Sequence, residues 1–273
     1  MSHSADLTDH TAVITGSSSG IGRAIAERLG AAGAHVVLSG RTEDAMRASA
    51  DRIEASGGHA TVVVSDVRDE AAMRALVDTA VTETGRLDVF VNNAGVASFA
   101  PILDADPDIW RAMLDTNIFS LLVGCQAAVR AMRALGNPGR IINVSSVAAH
   151  GNESGVYGAT KHAVNVISNT LRQELMDDPI QVTTIMPGLV ATNIGRNVDP
   201  EVIAGLVAAS GIDATFTPGE RLPDDVLEAA QTILGQIMLK PEDVADAVLY
   251  AVSLPSSVHL AEIVIRPNQD FDL

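Results

Sequence analysis

Apolar residues along the chain follow two alternating spacings. Short aliphatic runs stand at 11–15 (TAVIT), 35–39 (HVVLS), 61–65 (TVVVS), 87–92 (LDVFVN), 140–144 (RIINV), 181–186 (QVTTIM) and 262–265 (EIVI). Runs this short and this rich in Val and Ile read as strands buried on both faces of a parallel sheet. Between them the apolar period becomes helical. Ile21, Ala24, Ile25 and Leu29 share one face, and so do Ala163, Ile167, Leu171 and Leu175. Gly33 and the Gly57-Gly58 pair stand where helices should stop. The alternation predicts an α/β fold, a doubly wound parallel sheet of about seven strands with helices on both faces. Ligands of such sheets bind outside the carboxyl ends of the strands, near the topological switch point.

A length of 273 residues suits one domain over 1–273. Hydrophobic residues make up 47% but aromatics only 3%, so the core must be built from Val, Ile, Leu and Ala. The pattern loosens over 192–240, where Pro200, Pro218, Gly219 and Pro223 interrupt short helical pieces. A long irregular insert in a compact domain reads as a substrate lid. Asp and Glu number 34 against 18 Lys and Arg, a formal charge of −16. Such a surface repels nucleic acid and anionic membranes, so neither is expected as a partner, and a polyanionic ligand would need local positive groups. One cysteine, Cys125, excludes an internal disulfide and reads as a buried, inert thiol. Neither a charged-then-apolar leader nor a run of 18 apolar residues occurs, so a soluble, cytoplasmic protein is expected. The seven histidines lack metal-ligand spacing, and no metal is expected. His150 is either a lining residue of a substrate mouth or a loop histidine without a role.

The first run leads into Thr15-Gly16-Ser17-Ser18-Ser19-Gly20-Ile21-Gly22 and then a helix. Glycines allow a tight turn and close approach of backbone to ligand. The helix N-terminus then offers free N–H groups and partial positive charge to a pyrophosphate. The spacing is GxxxGxG, not the commoner GxGxxG.

Five further segments stand in order behind this turn: Asn92-Asn93-Ala94-Gly95, Asn117, Ser145-Ser146, Tyr157-Gly158-Ala159-Thr160-Lys161, and Pro187-Gly188-Leu189-Val190-Ala191-Thr192. The ordered set, spanning 15–192, resembles the short-chain dehydrogenase/reductase family. The resemblance implies a Rossmann-like fold and nicotinamide-dependent oxidoreduction. It implies cofactor contacts at Gly16, Ser18, Ser19, Gly20, Ile21 and Gly22, and at Asn93, Ala94 and Gly95. It implies cofactor contacts at Pro187 and Gly188 too, with Val190 and Thr192 meeting the carboxamide. Asp66-Val67 resembles the pair that approaches the adenine. Asn117 would hold a water relaying protons to Lys161, and Lys161 would also bond the ribose hydroxyls. Family members are usually dimers or tetramers packed through long helices, here around 118–132 and 155–175. The C-terminal segments PEDVA (241–245) and EIVIRP (262–267) loosely resemble NADP-linked reductases of small hydroxy acids and aldehydes.

NAD sites place an acid at the end of the second strand. Here Ser39-Gly40-Arg41-Thr42 stands there, with no carboxylate before Glu43. A guanidinium binds a 2′-phosphate where an acid would repel it, so Arg41 selects NADP(H), with Ser39 as a hydroxyl contact.

Hydride transfer to a carbonyl leaves an alkoxide that needs a proton. A free tyrosine has a pKa of ~10, and lowering it to ~7 takes about 4 kcal/mol. An ammonium ~4 Å away at an effective dielectric of ~20 supplies about that much. Lys161 lies one helical turn beyond Tyr157, so it can reach under the phenol. A serine hydroxyl should hold the substrate oxygen. Family alignment points to Ser146, but the segment before Tyr157 is about two residues short, so Ser145 stays open. A small-molecule carbonyl or alcohol, neutral or moderately apolar, is the expected substrate, in a pocket lined by 96–103, 150–156 and 194–239. Competing readings are a non-catalytic NADP(H)-binding sensor, an NAD-linked alcohol dehydrogenase, or epimerisation or dehydration with bound cofactor.

Overall fold

A computed structural model describes residues 6–151, 154–194 and 222–269. Seven strands form one parallel sheet: β1 (Thr11–Thr15), β2 (His35–Gly40), β3 (His59–Val64), β4 (Val89–Asn92), β5 (Gly139–Val144), β6 (Ile180–Pro187) and β7 (Glu262–Ile265). Their order is β3-β2-β1-β4-β5-β6-β7. The sheet grows from β1 to β3 in one direction and restarts at β4 on the other side of β1. The switch point is therefore the β1–β4 crevice. This is the Rossmann-like α/β architecture the alternation predicts.

Period-two side-chain alternation divides the core. Ala12, Ile14, Val36 and Leu38 point to one face, under α1 (Gly20–Ala31) and α2 (Glu43–Ala55). The C-terminal helix Pro241–Ser253 covers the same face through Val244, Ala245 and Val248. Val13 and Val37 point to the other face, under α3 (Glu70–Thr84), α5 (Ser120–Leu135) and α6 (Gly155–Glu174). Each fully buried Ile, Leu or Val contributes roughly 1.5–3 kcal/mol relative to exposure. α1 and α2 stop just before Gly33 and Gly57, as their positions predicted.

Two strands differ from the sequence pattern. TVVVS was expected to be buried on both faces, but β3 is an edge strand and Val64 is exposed. β7 is the opposite edge and is likewise half-exposed. An aliphatic run records strand propensity, not the number of neighbours.

A short α4 (Pro107–Leu114) passes through a π-helical turn at Asp115–Phe119 into α5. This run, Pro107–Leu135, is long and apolar enough by length and composition to cross a membrane, and half of its apolar window is buried within the protein. The buried side includes Leu121, Ala128 and Met132, which pack on the sheet.

Of the lid expected over 192–240, residues 195–221 lie outside the described residues. Asn193 and Leu222 clasp at the two ends of that stretch, with Leu222 N–H donating to Asn193 Oδ1 at 2.7 Å. α7 (Asp224–Leu234) follows, then a bridge between Leu239 and Val190, then α8, the C-terminal helix.

Candidate active site

β1 ends in a latch that the sequence reading did not foresee. Thr15 Oγ1 accepts the N–H groups of Asn93 (3.0 Å) and Ala94 (3.1 Å). Asn93 Nδ2 donates to the carbonyls of Thr15 (2.9 Å) and Gly16 (3.3 Å). The two motifs flanking the switch point are thus sewn together. A β-carbon on Gly22 would collide with Asn93 Nδ2 and the Gly16 carbonyl, and Gly16 itself has φ +66°. Glycine is required at both positions for the turn to close.

The turn feeds α1 without neutralising its N-terminus. Ser19 is the N-cap, makes no side-chain cap bond, and no acid follows in the first turn. Free N–H groups and the positive end of the helix dipole therefore remain for an anion. They line a cavity of about 710 Å³ at the carboxyl edge of the sheet. Ser18, Ser19, Gly20, Ile21, Asn93, Ala94 and Gly95 form its middle. Arg41, Asp66 and Val67 line it too, as do Ser146, Tyr157, Lys161, Pro187, Gly188, Val190 and Thr192.

Two expected site residues stand behind the wall instead. Ser39 is fully buried, and its hydroxyl shares a 2.7 Å hydrogen bond with Ser65 Oγ. It does not reach the cavity, because strand alternation turns it inward where Arg41 comes free of β2. Asn117 lies in the π-turn. Its Oδ1 accepts from Val96 N–H at 2.9 Å, and its Nδ2 donates to the Val96 carbonyl (2.9 Å) and to Thr160 Oγ1 (3.0 Å). Both amide N–H bonds are committed, so only carbonyl groups remain to meet a relay water. Its visible work is to tie the loop after β4 to α6.

At the β2 and β3 ends the structure adds Arg68. Its guanidinium grips the Asp66 carboxylate, with Nη2 to Oδ2 at 2.6 Å, and its N–H donates to Oδ1 at 3.0 Å. These bonds, and the nearby Arg41 charge, hold the Asp66 carboxyl below its ordinary range. Asp66 was expected to approach an adenine; here much of its accepting capacity is already used by Arg68.

At the other end Tyr157 and Lys161 occupy successive turns of α6, with Nζ 5.9 Å from the ring centroid. Lys161 is 3% exposed and its ammonium donates to the Val144 carbonyl at 2.9 Å. Burial pushes its pKa down to about 8. Burial pushes the Tyr157 phenol up to about 12, with a Ser146 hydrogen bond acting in the opposite direction. The expected lowering of the phenol by Lys161 is therefore not supplied by the protein's own groups. Both side chains are desolvated, and desolvation favours each neutral form.

The serine pair separates cleanly. The Ser145 hydroxyl donates to the Lys161 carbonyl at 3.0 Å, into α6. Ser146 faces the phenol and accepts from Ala148 N–H at 3.1 Å. His150 is exposed, 3.3 Å from Met186 Sδ, and off the cavity wall. Asn92 pairs with Asn143 at 2.9 Å and with Cys125, whose thiol burial raises to about 12. That buried polar chain is structural, and the thiol stays protonated.

The family model described as short chain dehydrogenase matches residues 10–202. An uncharacterized oxidoreductase of Staphylococcus haemolyticus is 33% identical over 264 residues, covering 96% of this chain and 99% of the relative. A closed form of serine dehydrogenase complexed with NADP+ is 28% identical, with TM-score 0.77 over 94% of each chain. A 7 alpha-hydroxysteroid dehydrogenase complexed with NADH and 7-oxo glycochenodeoxycholic acid is 26% identical, with TM-score 0.78 over 97% of this chain and 96% of that one. Sheet order, glycine turn and sequence likeness lead to one conclusion: the chain belongs to the short chain dehydrogenase family of nicotinamide-nucleotide oxidoreductases.

Proposed function

We propose that this protein is an NADP(H)-dependent oxidoreductase acting between a ketone or aldehyde and the corresponding alcohol, with Tyr157 as general acid/base. The observation that carries the reading is convergence. Ser146, Tyr157 and Lys161 meet at one end of the cavity whose middle is the uncapped α1 N-terminus. The glycine turn fits a pyrophosphate, and Gly188, Val190 and Thr192 would flank the nicotinamide. When bound, the nicotinamide supplies or takes the hydride. The Ser146 hydroxyl orients the substrate oxygen. Tyr157 gives its phenolic proton to that oxygen as the alkoxide develops. Lys161 offsets part of the cost of the phenolate left behind. A phenol held near pKa 12 is fully protonated at neutral pH, which suits carbonyl reduction. A purely cofactor-sensing role would need none of these three side chains.

Arg41 supports the 2′-phosphate. Neighbouring arginines are paired, Arg47 with Glu43 and Arg52 with Glu27, whereas Arg41 makes no hydrogen bond or ion pair among the described residues. Its charge reaches the nearby Asp66, but its guanidinium stands unbonded among the described residues on the cavity wall of an acidic protein. Solved relatives carry either cofactor, so the preference rests on this residue. Arg41→Ala should raise KM for NADPH by about 10–100-fold, the worth of a charge-assisted hydrogen bond, and leave KM for NADH nearly unchanged. Arg68→Ala should also weaken NADPH, because it leaves the Asp66 carboxylate unpaired, and adding Asp66→Asn should restore much of the loss. Steady-state kinetics with both cofactors check this. A wild-type preference for NADH that Arg41→Ala does not alter would overturn the assignment.

Phe119 in the π-turn, Leu122 on α5 and Val166 on α6 expose apolar side chains. These faces support a homodimer or homotetramer, and light scattering showing only a 28.4 kDa species would contradict it.

A further inference from the structure

The cavity changes chemistry along its length. Among the described lining residues, the ionisable side chains other than Tyr157 and Lys161 are Arg41, Asp66 and Arg68, and these gather where β2 and β3 end. Near Tyr157 the wall turns apolar. Phe99 comes from the loop after β4, Ile109 and Met113 from α4, and Leu189 and Ile194 from the segment after β6. Three separate parts of the chain thus bring large apolar groups to the wall of one cavity, and Phe99 and Met113 reach Tyr157 itself. The Phe99 ring meets the Tyr157 ring edge-on, centroids 5.4 Å apart. Tyr157 itself packs with Ala97 and Met113.

Phe99, Ile109, Leu189 and Ile194 remain between 39% and 49% exposed although they border a cavity. Apolar surface left open beside a reacting group is stabilised by an apolar ligand. A carboxylate there would lose its hydration, and the one cation at this end among the described wall residues, Lys161, is buried and already donates to the Val144 carbonyl.

We propose that this end takes a carbonyl bearing an extended aliphatic or aryl group, not a small hydroxy or oxo acid, and that Phe99 sets the preference. The proposal rests on the oxidoreductase reading above and names its substrate class. It runs against the loose C-terminal likeness to reductases of small hydroxy acids.

The test is a chain-length series. Rates with NADPH are measured for methyl ketones from butanone to decanone, and for acetoacetate and longer β-keto acids of matched length. Each added methylene should raise kcat/KM about fourfold until the pocket is filled. The acids should be at least about tenfold poorer than ketones of equal length. Phe99→Ala should flatten the series to about twofold per methylene. A flat wild-type series, or acids turned over better than ketones, overturns the proposal, and a slope unchanged in Phe99→Ala removes Phe99 from it. The same compounds are also added to the NADPH-loaded protein and Tm is read. Tm rising with chain length but no turnover would end the oxidoreductase reading and keep the apolar site. Turnover with a flat series and flat Tm would do the reverse.

Discussion

Tyr157→Phe should lower kcat by about three orders of magnitude, within the range a positioned general acid contributes. The substitution removes one oxygen from a side chain that is 7% exposed and leaves its packing with Met113 and Ala97 in place. NADPH affinity, read by fluorescence titration, should change little, because α1 and Arg41 are untouched. Ser146→Ala should cost about 10²–10³ in kcat, as loss of a hydrogen bond to a developing oxyanion does. Ser145→Ala should cost less, since its hydroxyl is turned to the Lys161 carbonyl. The reverse order for the serines would move the catalytic role to Ser145. A Tyr157→Phe enzyme with near-normal kcat would remove the acid/base role from this residue.

Lys161→Met should abolish most turnover and yet stabilise the protein. The ammonium is buried, and burial holds its pKa at about 8, against ~10.4 in an unfolded chain. At pH 7 the group is charged in both states, so the folded protein bears the full desolvation penalty. From the two pKa values that penalty is about 3 kcal/mol, reduced by the hydrogen bond to Val144 that methionine cannot make. As pH rises from about 8 to ~10.4 the folded lysine loses its proton first, and the penalty disappears. The variant should therefore melt several degrees higher than wild type at pH 7, with the gap closing by about pH 10. Scanning calorimetry without cofactor across that range checks the sign. Equal Tm at pH 7, or a gap that widens with pH, would contradict a buried, strained ammonium. A lysine kept at such a cost fits a group retained for chemistry.

Much of this molecule was legible before folding. β1 and β7 match the aliphatic runs residue for residue, and the other strands match within a few positions, because propensity and period act locally. The glycine turn was legible because Gly16 and Gly22 are forced by a positive φ and by collisions that any closing of this turn would produce. What stayed hidden depends on which strands and side chains meet. Val64 reads like a core valine and is exposed, because β3 has a neighbour on one side only. Ser39 reads like a ligand residue, but its hydroxyl meets Ser65 from β3's far end. Arg68 carried no signal beyond following Asp66-Val67, and its grip on Asp66 needs a local turn to form. Phe99 lay in the stretch 96–103 expected to line the substrate pocket, but a loop without period gave no sign that its ring would meet Tyr157. Nor did sequence disclose that burial pushes the Tyr157 phenol up and the Lys161 ammonium down.

Under the proposed function, hydride moves between the nicotinamide and a carbonyl carbon at Tyr157. NADPH deuterated at its transferable position, mixed with the protein and a long-chain methyl ketone, tests it most directly. The predicted result is one NADP+ formed per alcohol, with deuterium on the carbinol carbon of every product molecule. NADPH that binds but is not consumed, or is consumed without deuterium reaching that carbon, would contradict it.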